Sequence, residues 1–253
     1  VTELAQRIAE AVAVARSVLT YHGDPAKAAA MDALYARFLK AGDLAFDIGS
    51  HVGDRVASFR RLGARVVALE PQPGPAAMID QLFAGDESVT LLHAACGAAE
   101  GELTLKVNSA NPTVTTASVD FVAAADGADG WQGQVWDREI TVPCLTLDRL
   151  IADHGPPAFV KIDVEGFEAD VLAGLTRRLP ALSFEFTTIQ REVALACLDR
   201  LSALGSYRFN VALGESQQMT FDEAISATAM ARHIAGLPHA ANSGDVYAVL
   251  VKD

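Results

Sequence analysis

The chain has 253 residues, 51% hydrophobic and 21% charged, a composition that fits a folded domain with a sizeable core and excludes a disordered or fibrous chain. A net charge of -12 and a pI near 4.9 argue against nucleic acid as a partner, because an acidic surface repels phosphate backbones. Three widely spaced cysteines, Cys96, Cys144 and Cys197, form no CxxC or Cys/His ligand pattern, so no structural zinc is expected and a reducing cytoplasm is the simplest compartment.

Leu4, Ile8, Val12, Ala15 and Leu19 recur at three- and four-residue steps, the pattern of an amphipathic helix over 3–20. Arg7, Glu10 and Arg16 interrupt its apolar stretch, which argues against a signal peptide or a membrane span. Asp24 and Pro25 suit the N-cap and first position of a second helix, running to about Lys40 with Met31, Leu34, Tyr35 and Phe38 on one face. These two helices form an N-terminal segment, 1–41, ahead of one domain over 42–253.

From Asp43 the pattern changes to short, nearly continuous apolar runs, as buried parallel strands have. A strand at 44–48, a glycine turn, a helix at 54–62 and a strand at 65–70 make one βαβ unit. Further strands are read at 89–93, 158–163, 182–187, 207–213 and 246–251, with helices at 75–83, 146–154, 168–174 and 192–204. The prediction is an α/β, Rossmann-like fold: a seven-stranded, mostly parallel sheet with helices on both faces. Segments 102–107 and 140–145 read as extended. Residues 108–138, small and polar but carrying Trp131 and Trp136, show no period and read as a loop or lid insertion. The stretch 214–243, with Met219, Phe221 and His233, is a further candidate cover.

Three features carry chemistry. The first is Phe46-Asp47-Ile48-Gly49-Ser50-His51-Val52-Gly53, a D-x-G-x-x-x-G turn between strand and helix. Its glycines would let backbone approach a ligand, and its spacing differs from the G-x-G-x-x-G fingerprint of dinucleotide enzymes. Asp47 suits an ammonium group better than a phosphate. Read alone, the glycines could be structural. The second is Glu70, closing the second strand, where a carboxylate can accept from both hydroxyls of a ribose, or else be a solvated strand-end acid. The third is Lys161-Ile162-Asp163-Val164-Glu165-Gly166-Phe167-Glu168. Charges here need pairing or an open strand end, and Lys161, Asp163 and Glu165 share a side by alternation. Such a cluster points to a site, with a structural brace as the rival reading for Lys161.

Together with Leu69-Glu70-Pro71 and Thr146-Leu147-Asp148, these motifs resemble the FkbM family of methyltransferases over residues 42–187, with weaker agreement at Asp245-Val246-Tyr247. The resemblance implies the class I methyltransferase fold with strand seven antiparallel. It also implies S-adenosylmethionine as methyl donor and a hydroxyl oxygen of a sugar or secondary metabolite as acceptor. By position, Asp47, Gly49, Ser50, His51 and Gly53 would line the methionine end of the cofactor, Glu70 and Pro71 the ribose, and His93 and Ala94 the adenine edge. His93 stands where the family block more often has a polar amide, and His51 where it often has Asn. Asp163 and Glu165 would face the methyl-transfer region.

Methyl transfer to a hydroxyl needs alignment and a base. Asp163 is the first nominee, with Glu165, Glu185, His22 and His51 as alternatives. Asp163, Glu165 and Glu185 could converge on a metal, yet their spacing does not demand one and none is expected. Tyr21, Tyr35, Trp131 and Trp136 could pack on the acceptor, although Tyr35 lies on an apolar helix face and favours the core. The competing readings are an NAD-type oxidoreductase on a similar sheet and a non-catalytic nucleoside-binding protein.

Overall fold

In the computed structural model, which describes residues 3–251, two helices precede the first strand: α1 (Glu3–His22) and α2 (Pro25–Tyr35). Asp24 caps α2, its Oδ1 accepting from the N–H groups of Ala26 and Lys27 at 2.8 and 3.3 Å. The helix stops at Tyr35, short of Lys40, because the chain tightens into a turn in which the Phe38 N–H donates to the Tyr35 carbonyl at 2.9 Å. That turn still delivers Phe38 to the sheet, stacked on Phe159 and Tyr247 with centroids 4.9 and 5.6 Å away.

Strand and helix then alternate: β1 (Leu44–Ile48), α3 (Asp54–Arg61), β2 (Arg65–Leu69), α4 (Pro73–Leu82) and β3 (Val89–Leu92). Next come β4 (Ala95–Cys96), β5 (Gly101–Val107), α5 (Val119–Ala125), β6 (Arg138–Leu145) and α6 (Leu147–His154). The chain continues through β7 (Phe159–Ile162), α7 (Glu168–Ala173), β8 (Ala181–Thr187), α8 (Arg191–Leu204), β9 (Tyr207–Leu213), α9 (Ala227–Gly236) and β10 (Ser243–Leu250).

Seven strands form the central sheet in the order β3-β2-β1-β7-β8-β10-β9. Only β10 runs against its neighbours, antiparallel to β8 and β9. Strand alternation splits the core in two. Phe46, Ile48, Val160, Ile162 and Phe184 face α6 to α9, while Ala45, Ala68, Phe159 and Tyr247 face α2 and α3. On the second face Tyr35 meets Phe59 edge-on at 4.8 Å, so its ring belongs to the core. Such a pair contributes about 0.5–1.5 kcal/mol beyond burial. Strand order reverses between β1 and β7, and a crevice opens above that point at the carboxyl ends of the strands.

The two extended segments read at 102–107 and 140–145 pair with each other instead of joining the main sheet. As β5 and β6, with β4, they form a separate three-stranded sheet. Between them, residues 108–137 are folded rather than irregular. A 3₁₀ turn at Pro112–Val114 and α5 enclose a small aromatic core, with the rings of Trp131 and Trp136 perpendicular to Phe121 at 5.1 and 6.2 Å. Trp131 Nε1 donates to Asn242 Oδ1 and Trp136 Nε1 to the Val114 carbonyl, so both rings pack within the protein. Residues 214–243 also serve packing: Met230 and Ile234 of α9 are fully buried, and Phe221 meets His233 edge-on.

In α1 the apolar series faces outward. Ile8 is 56% and Leu19 75% exposed, while Ala13, Val14 and Ser17 face inward. The helix lies across the start of α4, where a Cβ on Gly74 would come within 3.2 Å of Val14 Cγ2. Among the described residues, no helix is long and apolar enough to cross a membrane.

Candidate active site

The crevice above β1, β2, β7 and β8 is a cleft of about 1000 Å³, open mouth included, roofed by residues 112–117 and by Leu103 and Leu105 of β5. The roof is tied down: Gln72 donates through Nε2 to the Pro112 carbonyl at 3.0 Å and accepts through Oε1 from Thr115 Oγ1 at 2.8 Å.

The glycine turn forms the near wall. Asp47 is 1% exposed, and its Oδ2 has no hydrogen-bond partner among the described residues. Burial, then the charge of Asp54, pushes its carboxyl up to about 7. Ser50 Oγ donates to the Asp47 carbonyl at 2.9 Å. Gly49 lies on the cleft wall, but what forbids a side chain there is protein: a Cβ would sit 1.9 Å from the Asp163 carbonyl oxygen. Gly53 (φ 80) faces Ile79 and Phe83 and starts α3. Packing alone therefore accounts for both glycines, the structural alternative of the sequence reading, while Gly49 also lines the cleft.

Glu70 is 2% exposed at the end of β2 and lines the cleft. Its Oε2 accepts from the His51 N–H and its Oε1 from the Gln72 N–H, each at 2.8 Å. Burial pushes this carboxyl up to about 8. Pro71 and Ala94 line the cleft beside it. His93 departs from the expected adenine edge: its imidazole is 57% exposed and 3.6 Å from Asp80. The residue lies just past β3, on the outward side of the chain.

The far wall is acidic. Lys161, 1% exposed, donates to Asp163 Oδ2 at 2.9 Å and to Asp245 Oδ1 at 2.8 Å. Lys161 is thus the brace between β7 and β10. Burial alone would raise the Asp163 carboxyl, but the charges of Lys161 and Arg55 hold it below the usual range. Glu165 follows in a left-handed turn (φ 54), with Thr116 Oγ1 donating to its carbonyl at 2.6 Å. Burial and the Asp163 charge push Glu165 and Glu185 well above the usual carboxylate range. Glu168 closes the turn, its Oε1 accepting from the N–H groups of Val164 and Gly166.

At the mouth, His51 (φ 45) meets Tyr21 edge-on at 5.8 Å and Thr113 Oγ1 at 3.3 Å. Burial pushes the His51 imidazole down to about 4, so the ring is neutral at pH 7. His22 is occupied at the Val52 carbonyl, 2.9 Å away. The sequence reading missed Arg55, which is buried on the cleft wall and paired with Asp54 and with Glu215 at 3.1 Å. It also gave Asp245 no role. A carboxylate inside the apolar run of β10 was a usable signal for Asp245, whereas Glu215 lies far along the chain from Arg55 and left none.

The family profile described as the methyltransferase FkbM domain matches residues 47–222. Among solved structures, a TehB-like SAM-dependent methyltransferase from Corynebacterium glutamicum shares the fold over 97% of this chain and 99% of its own (TM-score 0.51, 10% identity). An O-methyltransferase from Bacillus cereus in complex with SAH aligns over 99% of this chain and 92% of its own (0.48, 10%). A precorrin-6y C5,15-methyltransferase from Geobacter metallireducens GS-15 aligns over 88% and 87% (0.47, 13%). No curated protein matches the chain by sequence.

Proposed function

The chain belongs to the FkbM family of methyltransferases, has the class I fold and uses S-adenosylmethionine; from that premise we propose that it methylates a hydroxyl oxygen of a small acceptor, a sugar or secondary metabolite. The observation that carries the cofactor half of this reading is the buried, unpartnered Oδ2 of Asp47 in the same cleft as Glu70. An unsatisfied buried acceptor costs about 1–3 kcal/mol, and more when charged. The ammonium group of a methionine moiety supplies the missing donor. Glu70 keeps one lone pair on each oxygen after its two backbone bonds, enough for a ribose diol.

S-adenosylmethionine, when bound, supplies an electrophilic methyl group on a cationic sulfur. The chain's part is to align the acceptor, the step in which most of the acceleration arises. Asp163, kept ionised by Lys161, orients the hydroxyl by accepting its hydrogen bond, and its lowered proton affinity makes it a weaker base than the sequence reading supposed. Glu165 and Glu185 hold protons more tightly, and whichever of the two is ionised beside a bound sulfonium would take the hydroxyl proton. The carboxylate-lined cleft and the net charge of -12 support an uncharged small acceptor over nucleic acid. Three buried, free cysteines support a reducing compartment such as the cytoplasm.

Calorimetry tests the cofactor site. S-adenosylhomocysteine should bind and NAD should not, with Glu70→Ala and Asp47→Asn each weakening the former on the order of tenfold or more. Undiminished affinity in both variants removes the assignment. Mass analysis of products from hydroxylated and aminated sugars tests the acceptor atom, and exclusive N-methylation overturns the oxygen assignment.

A further inference from the structure

One carboxylate oxygen from each of Asp163, Glu165 and Glu185 lies within 4.8 Å of the other two. Three features set this group apart from an ordinary acidic patch. Glu165 is only 7% exposed, yet among the described residues its carboxylate has no hydrogen bond and no ion pair. Glu185 Oε2 is also buried without a partner, although the carboxyl hydrogen-bonds Asp163 within the group. Lys161 cannot neutralise all three, because its ammonium is already divided between Asp163 and Asp245.

The arrangement is built, not incidental. Glu165 is held by a left-handed backbone and by the Thr116 hydroxyl bond from the roof, and Glu185 stands opposite Asp245 in the β8–β10 ladder. All three acids line the cleft. Hard divalent cations bind carboxylate oxygens at about 2.0–2.6 Å, so two ligand oxygens on one ion lie at most about 5 Å apart. The observed spacing meets that limit for Ca²⁺, and a small rotation of the carboxylates would bring the oxygens within the roughly 4 Å span of Mg²⁺.

We propose that Asp163, Glu165 and Glu185 bind one hard divalent cation, of the Mg²⁺, Mn²⁺ or Ca²⁺ class, at the methyl-transfer end of the cleft. Binding of the ion stands apart from the methyltransferase reading. Its role rests on that reading and replaces the proton-taking role of Glu165 and Glu185, which become ligands: the coordination positions left free take the acceptor's hydroxyl oxygen and acidify it, and its proton passes to solvent water.

The test uses Mn²⁺ alone, added to the full chain without cofactor at neutral pH, with the free ion followed by paramagnetic resonance. One ion should bind per chain, and Glu165→Gln and Glu185→Gln should each weaken it on the order of tenfold. Circular dichroism checks that the variants fold, and either folded variant suffices. Mg²⁺ or Ca²⁺ in excess should displace the Mn²⁺. The proposal is overturned if uptake does not saturate by about millimolar Mn²⁺, the result expected if the three acids only share protons. Uptake that both variants leave unchanged overturns it equally, since the ion then sits elsewhere. Loss of S-adenosylhomocysteine binding would sink the methyltransferase reading and leave the Mn²⁺ result standing.

Discussion

Gly49 sits where two strand ends nearly touch, with φ 83 and the Asp163 carbonyl in the space a methyl group would need. Gly49→Ala should therefore destabilise the fold by about 2–4 kcal/mol, read as a lower unfolding midpoint in denaturant. A midpoint unchanged alongside lost cofactor affinity would restore the ligand-approach explanation. Lys161→Met leaves Asp163 and Asp245 without their counter-ion and should cost about 3–5 kcal/mol at neutral pH. In that variant the Asp163 carboxyl keeps only Arg55 of the two charges that hold it low, and burial, the largest influence on it, raises its folded-state proton affinity. The loss should then be small in acid, where Asp163 is protonated, and grow as pH rises. Urea titrations across pH measure it. Asp47, Glu70, Asp163 and Glu165 were legible in sequence because each is a charge at the end of an apolar run. Arg55 was not, because its partner Glu215 comes from a loop beyond β9 and only folding brings the two together.

At the level of single elements, the roof over 108–137 is a local unit with its own core. Trp131→Ala removes a ring that packs edge-on to Phe121 and holds Asn242. The expected loss of about 3–5 kcal/mol falls mainly on opening of this segment. Limited proteolysis should cut within 108–137 faster, and S-adenosylhomocysteine should bind more weakly, with a smaller change in the global unfolding midpoint. Equal shifts in both would show that the roof does not open separately. No periodicity announced this unit, because aromatics spaced along short pieces build its core instead of one face of a long helix. In α1 a clear period gave the helix but the wrong inward face. Its stripe, from Leu4 to Leu19, stays exposed while Ala13 and Val14 make the close contacts that small side chains allow.

Over the whole molecule, buried acids dominate the response to pH. Burial places Asp47 at about 7 and Glu70 at about 8, both above the values of an unfolded chain. A raised folded-state value contributes stability that is fully present in acid and is lost as pH climbs through the folded value. The ligand-free protein should thus lose stability across about pH 4 to 8 on account of these two groups. Ionising Asp47 favours a ligand bearing an ammonium group, so affinity for S-adenosylhomocysteine should rise over pH 6 to 8, by up to about tenfold per unit. Calorimetry at several pH values checks the slope, and a flat profile contradicts the proposed contact. The seven main strands were all readable from apolar runs. Their order was not, since neighbours in space such as β1 and β7 are far apart in sequence and hydrophobicity does not encode partnership.

The insertion of β10 between β8 and β9 has a consequence for biosynthesis. Lys161 leaves the ribosome well before Asp245 does, so a nascent sheet ending at β8 holds an ammonium group with only half of its eventual counter-charge. Domains assemble as they are translated, N-terminal parts first. The electrostatic balance of this cleft is struck only when β10 docks between β8 and β9, which makes late-emerging residues the gatekeepers of an early-encoded centre.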